Sequence, residues 1–239
     1  MNEFVDKVSL AYWFPKLQAS GVLTPTTKII TTKTDFGPMM DGQPSKEIDE
    51  FIAFLKHEAE HFGFPLFLRT GHLSAKHSWK DSCFVPSKEQ IGNSIYALVE
   101  ASALATLRGL PMDVWVIRSF LDLDIRFTAF HGDMPVAVER RYFIEDGKVI
   151  CSHPYWPAGA FEQIRNKPEN WGALLTEMNA VTAPELEDLS VQVSQSFEGA
   201  WSLDWAKHKS GTWYAIDMAP MEVSWHWPGC EHGETHAQV

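Results

Sequence analysis

Asp204 and Asp217 stand at equal distances from the dipeptide Ser210-Gly211, and this symmetry constrains the chain more than any other feature. Trp201-Ser-Leu-Asp-Trp205 and Trp213-Tyr-Ala-Ile-Asp217 are aromatic and β-branched runs on either side of Lys207-His-Lys-Ser-Gly211, a pattern that reads as a hairpin. An even-length loop centred there sets the two carboxylates opposite each other on one face. Opposed residues have Cβ atoms roughly 5 Å apart, and two anions at that separation repel by about 3 kcal/mol at an effective dielectric of about 20. A divalent cation removes the conflict. Carboxylate oxygens with no neighbouring Cys or His favour Mg²⁺ or Mn²⁺, and Mg²⁺ commonly shares its shell with nucleotide phosphates. The plainer alternative is an exposed strand with one aspartate protonated or turned to water. Trp205 and Ile216 favour a sheet whose other face is buried.

The remaining composition narrows the partners. A chain of 239 residues can bury a sizeable core. Its net charge of -11 argues against indiscriminate binding to a phosphate backbone, while leaving room for a local basic pocket. Met1-Asn-Glu-Phe-Val-Asp6 lacks the basic and apolar segments of a leader, and no apolar run approaches a bilayer span. Cys83, Cys151 and Cys230 are odd in number and far apart, which argues against a disulfide framework. A soluble, cytoplasmic protein is the expectation.

Periodicity predicts helices and strands in an α+β arrangement. A helix is expected from Ser45, its cap, to Phe62, with Ile48, Phe51, Ile52, Leu55 and Ala59 on one stripe. A second opens at a Ser87/Gln90 capping box and carries Ile91, Ile95, Leu98, Val99 and Leu107 before Gly109 and Pro111. Thr182, Pro184 and Glu185 start another, with Leu186, Leu189, Val193 and Phe197 on its apolar face. Strands are expected at 27–32, 65–69, 114–120, 126–130, 136–144 and 149–151, the last two joined by Asp146-Gly147. The loops at 38–44 and 155–168 are expected to be the most mobile. Neither a GxGxxG fingerprint nor a Walker A motif is present.

Two further sets of residues suggest chemistry. Arg69 and Lys76 bracket Thr70-Gly-His-Leu-Ser-Ala75, a short loop able to lay backbone N–H groups and two cations along a polyphosphate; both are otherwise solvated cations. In Val138-Glu-Arg-Arg-Tyr-Phe143, alternation puts Glu139 and Arg141 on one face and Val138, Arg140 and Tyr142 on the other. Phosphoryl and acyl-phosphate chemistry needs an arginine such as Arg141, whose planar fork holds transferring oxygens. A wet sheet face is the alternative for that pair.

Taken in order, these stretches resemble the ATP-grasp superfamily, in the clade of ligases with arginines and a lysine at the nucleotide site. Gly21-Val-Leu-Thr-Pro-Thr-Thr-Lys28 is similar to its opening strand, and Phe67-Leu-Arg69 with Ser74 and Lys76 to its phosphate-grasping hairpin. Val116-Ile-Arg-Ser-Phe120 resembles its hinge strand, Glu139 to Gly147 its "Glu-x-Arg-x-Phe-x-x-x-Gly" turn, and Leu203-Asp204 with Ile216-Asp217-Met218 its metal-ligand strands. The resemblance implies two α+β subdomains, about 20–115 and 116–239, gripping ATP between mainly antiparallel sheets. It implies Arg69 and Lys76 on the phosphates, Asp204 and Asp217 on Mg²⁺ or Mn²⁺, and Arg141 on the transferring phosphoryl group. Arg118 and Phe120 would hold adenine, with Asp124 as a ribose contact. The implied activity joins a carboxylate to an amine through an acyl phosphate, with small molecules, peptides or a protein terminus as substrates.

Two departures bear on that activity. The family's usual asparagine, two residues after the second acidic ligand, is Ala219 here, which makes Glu222 the candidate replacement ligand. No separate substrate-binding domain fits before Gly21. Ala219 therefore supports a competing expectation, a nucleotide- or peptide-binding module with little or no turnover. A metal-dependent nuclease is the third reading, disfavoured by the net charge. Trp225 and Trp227 line either a substrate pocket or a packed strand. Cys230, His232 and His236 match no usual zinc spacing, His72 and His77 are expected to be loop residues, and Cys83 and Cys151 to be packed thiols.

Overall fold

Apolar stripes at helical spacing and alternating strands both find partners in the computed structural model of the chain, which describes residues 6–227 and 230. The helices are α1 (Leu10–Ala19), α2 (Gly37–Met40), α3 (Lys46–Glu60), α4 (Ile91–Leu104), α5 (Gly159–Glu162), α6 (Trp171–Asn179) and α7 (Glu185–Ser194). The strands are β1 (Thr27–Thr31), β2 (Leu66–Thr70), β3 (Phe84–Val85), β4 (Val114–Ser119), β5 (Ile125–Ala129), β6 (Met134–Ala137), β7 (Glu139–Glu145), β8 (Lys148–Pro154), β9 (Ala200–Lys207) and β10 (Trp213–Pro220). The chain divides into two compact units. One comprises Pro25–Leu121 with Phe130–Met134; the other takes the residues up to Thr24, Asp122–Ala129 and those from Pro135 onward. The first division falls after Leu121 because β4 is an inner strand of the first unit's sheet. No described helix is long and apolar enough to cross a membrane.

The Pro25–Leu121 unit is built on an antiparallel sheet in the order β1-β4-β2-β3. Alternation sends Ile30, Leu66, Leu68, Trp115 and Ile117 to one face, where they pack against Ile48, Phe51, Leu55, Ile91, Ile95 and Leu98 of α3 and α4. Trp115 is fully buried, its ring centroid 5.3 Å from Phe36 and 5.5 Å from Phe51. Ser45 caps α3 as expected, its hydroxyl accepting from the Ile48 N–H. The capping box at Ser87 is not formed. Ser87 donates instead to Glu89 Oε2 at 2.6 Å, and a 3₁₀ turn, Lys88–Gln90, precedes α4. The helix ends at Leu104, so Leu107 is fully exposed and outside its apolar face. Leu110 N–H caps the Ser102 carbonyl, and Gly109 supplies the positive φ of +69° that the reversal requires.

The second unit carries an antiparallel sheet in the order β10-β9-β7-β8 and a two-stranded pair, β5-β6. Tyr142, Trp201, Leu203, Trp205 and Met218 form its buried face, covered by α7 and α1. Trp205 Nε1 donates to Ser190 Oγ at 3.0 Å, and Trp201 stacks on Tyr12. The strand expected over 136–144 is two strands. At Val138 the N–H donates to the Asp124 carbonyl and the carbonyl accepts from Lys207 N–H, so the chain changes sheets at that residue. Asp146-Gly147 makes the expected two-residue turn, both residues having positive φ, and Glu145 pairs with Lys148. The loops at 38–44 and 155–168 include the short helices α2 and α5.

Candidate functional site

Alternation along β7, β8, β9 and β10 leaves a second face that the helices do not cover. Register places His153, Arg141, Asp204 and Asp217 side by side across it, one from each of β8, β7, β9 and β10. Arg141 holds Asp204 through both fork nitrogens, Nε to Oδ1 at 2.7 Å and Nη2 to Oδ2 at 2.8 Å. Asp204 is only 4% exposed. The guanidinium lies 4.8 Å from the centre of the Tyr155 ring, and Nη1 donates to the Trp225 carbonyl. Burial works against its charge, but Asp204, through charge and hydrogen bonds, with Tyr155 and Asp217, outweighs burial and raises the Arg141 pKa above its ordinary value. Arg140, on the opposite face, donates to the Val181 carbonyl.

The two aspartates are register partners, as the sequence symmetry suggested, but the turn is not the cause. The closing pair is Lys207 with Trp213, leaving a five-residue loop from His208 to Thr212. That odd-length loop on its own would set Ile216 opposite Asp204. A β-bulge between Ala215 and Asp217 absorbs Ile216 and restores the pairing of Asp217 with Asp204. The charge conflict between them is relieved by Arg141. Asp217 is half-buried, and its Oδ1 accepts from Met218 N–H. Glu222 is exposed, in the 3₁₀ turn Met221–Val223 that follows β10. Ala219 pairs with Ser202, whose hydroxyl bonds Ser224 Oγ at 2.7 Å.

In the Pro25–Leu121 unit, pairing of Phe67 with Arg118 and of Arg69 with Val116 sets both arginines on the sheet face turned away from α3 and α4. Both are buried, at 6% and 5% exposure. Arg69 Nε donates to the Thr70 carbonyl. The following loop is pinned by Thr70, whose N–H donates to the Leu73 carbonyl and whose hydroxyl accepts from Leu73 N–H. Lys76 lies half-buried just beyond, after Ala75 in the left-handed region. Phe120 belongs to an aromatic cluster with Phe84 and Trp79. His77 stacks on Phe130, and burial pushes the Cys83 thiol up to about 12, so neither acts as a nucleophile or base in this setting. In the second unit, Asp124 is held by both fork nitrogens of Arg126, with Lys207 Nζ 3.9 Å away.

Sequence reasoning missed several neighbours of Arg141. Tyr155 and His153 lie beyond the expected end of the strand at Cys151, and Ser202 and Ser224 carry no motif. His153 and Tyr155 share the parity of Cys151, and a longer β8 would have revealed them. Cys230, whose expected companions His232 and His236 lie outside the described residues, is found beside Cys151 and His226.

Comparison with known proteins now gives this arrangement a family. The chain resembles Cdc123 of Schizosaccharomyces pombe at TM-score 0.57 and 13% identity, covering 90% of this chain and 83% of that one. It resembles N5-carboxyaminoimidazole synthase of Aspergillus clavatus, solved with ADP and 5-aminoimidazole ribonucleotide, at TM-score 0.52 and 10% identity, covering 92% and 46%. The biotin carboxylase domain of Hydrogenobacter thermophilus 2-oxoglutarate carboxylase, solved with MgADP and bicarbonate, gives 0.53 and 12%, covering 91% and 41%. The chain thus spans less than half the length of the last two. No curated protein matches it. The sequence profile of an ATP-grasp domain, family 3 of the clade with arginines and a lysine at the nucleotide site, matches residues 58–237, three-quarters of the chain, and the chain belongs to that ATP-grasp family.

Proposed function

We propose that the chain is an ATP- and Mg²⁺-dependent ligase that joins a carboxylate to an amine through an acyl phosphate. The observation that carries this reading is the row of Arg141, Asp204 and Asp217 on neighbouring strands, in a member of the ATP-grasp family. The donor set suits the metal, since carboxylate oxygens are what a hard divalent cation takes. Asp204 and Asp217 would hold the ion, with Glu222 as a third oxygen donor, and the ion supplies neutralisation of phosphate charge. Arg141 already grips a carboxylate with its fork, and the same geometry suits a phosphoryl group's oxygens. Arg69 and Lys76 take the phosphates, Arg118 and Phe120 the adenine, and Asp124 the ribose.

In the reaction, a substrate carboxylate oxygen bonds the γ-phosphorus as the bond to the β-phosphate oxygen breaks, releasing ADP. The amine then bonds the acyl carbon, the carbon–oxygen bond to phosphate breaks, and the amine loses a proton. Positioning and charge neutralisation supply most of the acceleration in such transfers. The two ADP complexes among the similar folds support a nucleotide ligand. Substrates are small molecules, peptides or a protein terminus. Three free thiols suit a reducing, cytoplasmic setting.

A second reading, a nucleotide- or peptide-binding module without turnover, is favoured by Ala219. Its neighbours Ser202 and Ser224 bond to each other rather than offering an amide oxygen. Calorimetry of ATP with and without Mg²⁺, together with phosphate release over an amino-acid and peptide panel, decides between the two. Mg²⁺ should tighten ATP, and Asp217→Asn should weaken Mg²⁺-dependent binding by about tenfold or more, the loss of one charge-assisted contact, with the fold retained. Unchanged affinity in the variant overturns the site, and binding without turnover leaves the module.

A further inference from the structure

Three groups that metal chemistry favours converge next to the row just described, from segments far apart in sequence. Cys151 lies on β8, on the same sheet face as His153 and Arg141. His226 and Cys230 come from the stretch after β10, which crosses that face. Cys151 Sγ is 3.4 Å from Cys230 Sγ and 3.9 Å from His226 Nδ1, and the three ligand atoms all lie within 4.8 Å of one another. All three cysteines of the chain are free.

The spacing suits one tetrahedral ion. Zinc binds sulfur at about 2.3 Å and imidazole nitrogen at about 2.0–2.1 Å, so the edges of its tetrahedron are roughly 3.8 Å between sulfurs and roughly 3.5 Å from sulfur to nitrogen. The observed separations fall within about 0.4 Å of those edges. Two thiolates and an imidazole select a borderline or soft ion, and not Mg²⁺. The set is also held in place. The His226 ring stacks on Phe143 with centroids 3.5 Å apart and is 6% exposed. Ser224 is tied to the Pro220 carbonyl and to Ser202 Oγ, and the Trp225 carbonyl accepts from Arg141.

We propose that Cys151, His226 and Cys230 bind Zn²⁺, with the fourth position left to water, and that the ion clamps the 224–230 segment onto the sheet beside Arg141. Spacing along the chain hides this set, because Cys151 is 75 residues from His226 and 79 from Cys230. The clamp stands independently of the nucleotide reading, since none of its ligands is among the residues assigned to ATP.

The test uses the full chain, stripped with a chelator under reducing conditions and titrated with Zn²⁺ against a chromophoric competitor, and separately loaded with Co²⁺. One equivalent of metal and a thiolate-to-cobalt charge-transfer band are expected. Cys230→Ser, near the end of the described chain, should abolish the band and weaken zinc by more than the roughly 10–100-fold that losing an outer hydrogen-bond partner costs. His226→Gln should do the same, while Cys83→Ala should bind metal like the parent. Circular dichroism checks that each variant is folded. Substoichiometric metal indifferent to these changes overturns the proposal. So does a chain that takes up no zinc and forms a Cys151–Cys230 disulfide in air, which would make the two thiols a redox pair.

Discussion

The two four-stranded antiparallel sheets bury one face under helices and carry charge on the other, yet they differ in regularity. In the Pro25–Leu121 unit, β1, β4 and β2 pair without a break in register. In the second unit the register slips twice, at Ile216 on β10 and at Ile150 on β8. Both slips change what faces the charged row. Without them, Ile216 would oppose Asp204, and Ser152 would oppose Arg141 in place of His153. Regular pairing suffices for the first sheet because Arg69 and Arg118 already have the parity that keeps them off the helix-packed face. The second sheet needs an extra residue in each outer strand to turn its polar side chains to the row, a use of bulges typical of functional edges.

The largest effect should come from disturbing the regular sheet. Deleting Ile117 from β4 turns Arg118 toward Trp115 and the helices, since a one-residue shift exchanges the two faces of a strand. That deletion should cost more than about 4 kcal/mol and remove cooperative unfolding of the unit. A cooperative melt close to the parent's would show that the sheet tolerates slips and that the contrast is wrong.

Next in size is the ion row. Arg141→Ala leaves Asp204, 4% exposed, without its fork, and a buried charge stripped of its partner costs about 3–5 kcal/mol. Combining Arg141→Met with Asp204→Leu removes both charges and should recover most of that loss. Denaturant midpoints of the two variants measure the difference. If both lose the same stability, the pair is held by packing, and the row is an electrostatic unit in name only.

The regular sheet was largely legible in the sequence, because alternation and the stripe from Ile48 to Ala59 are local patterns that tertiary packing left undisturbed. The helix α1 was not read, although Leu10, Trp13, Phe14 and Leu17 form a buried stripe at helical spacing; Pro15 inside it breaks the usual signature. At the site, the opposition of Asp204 and Asp217 was legible, but its cause was not. Loop length and bulge each shift the register by one, and the symmetry of the sequence sees only their sum. The grip of Arg141 on Asp204 was hidden for a different reason. It depends on which strand lies next to β9, and the 63 residues between the two partners carry no pattern that fixes the neighbour. The meeting of Cys151 with His226 and Cys230 is a property of the folded chain for the same reason.

The smallest effect should follow from removing the bulge itself. In the strand that lacks Ile216, Ala215 still pairs with Trp205, and the next residue, now Asp217, meets Asp204 in regular register. The face of every residue after it is unchanged, so the deletion should cost about 1 kcal/mol or less and change Mg²⁺-dependent ATP affinity by less than about threefold. A single-residue deletion would then be tolerated in the bulged strand and ruinous in β4, which is the contrast between the sheets in its sharpest form. Should ATP affinity instead fall as far as in Asp217→Asn, pairing alone would be insufficient. The bulge, through the local twist it adds to β10, would then be what aims the Asp217 carboxylate.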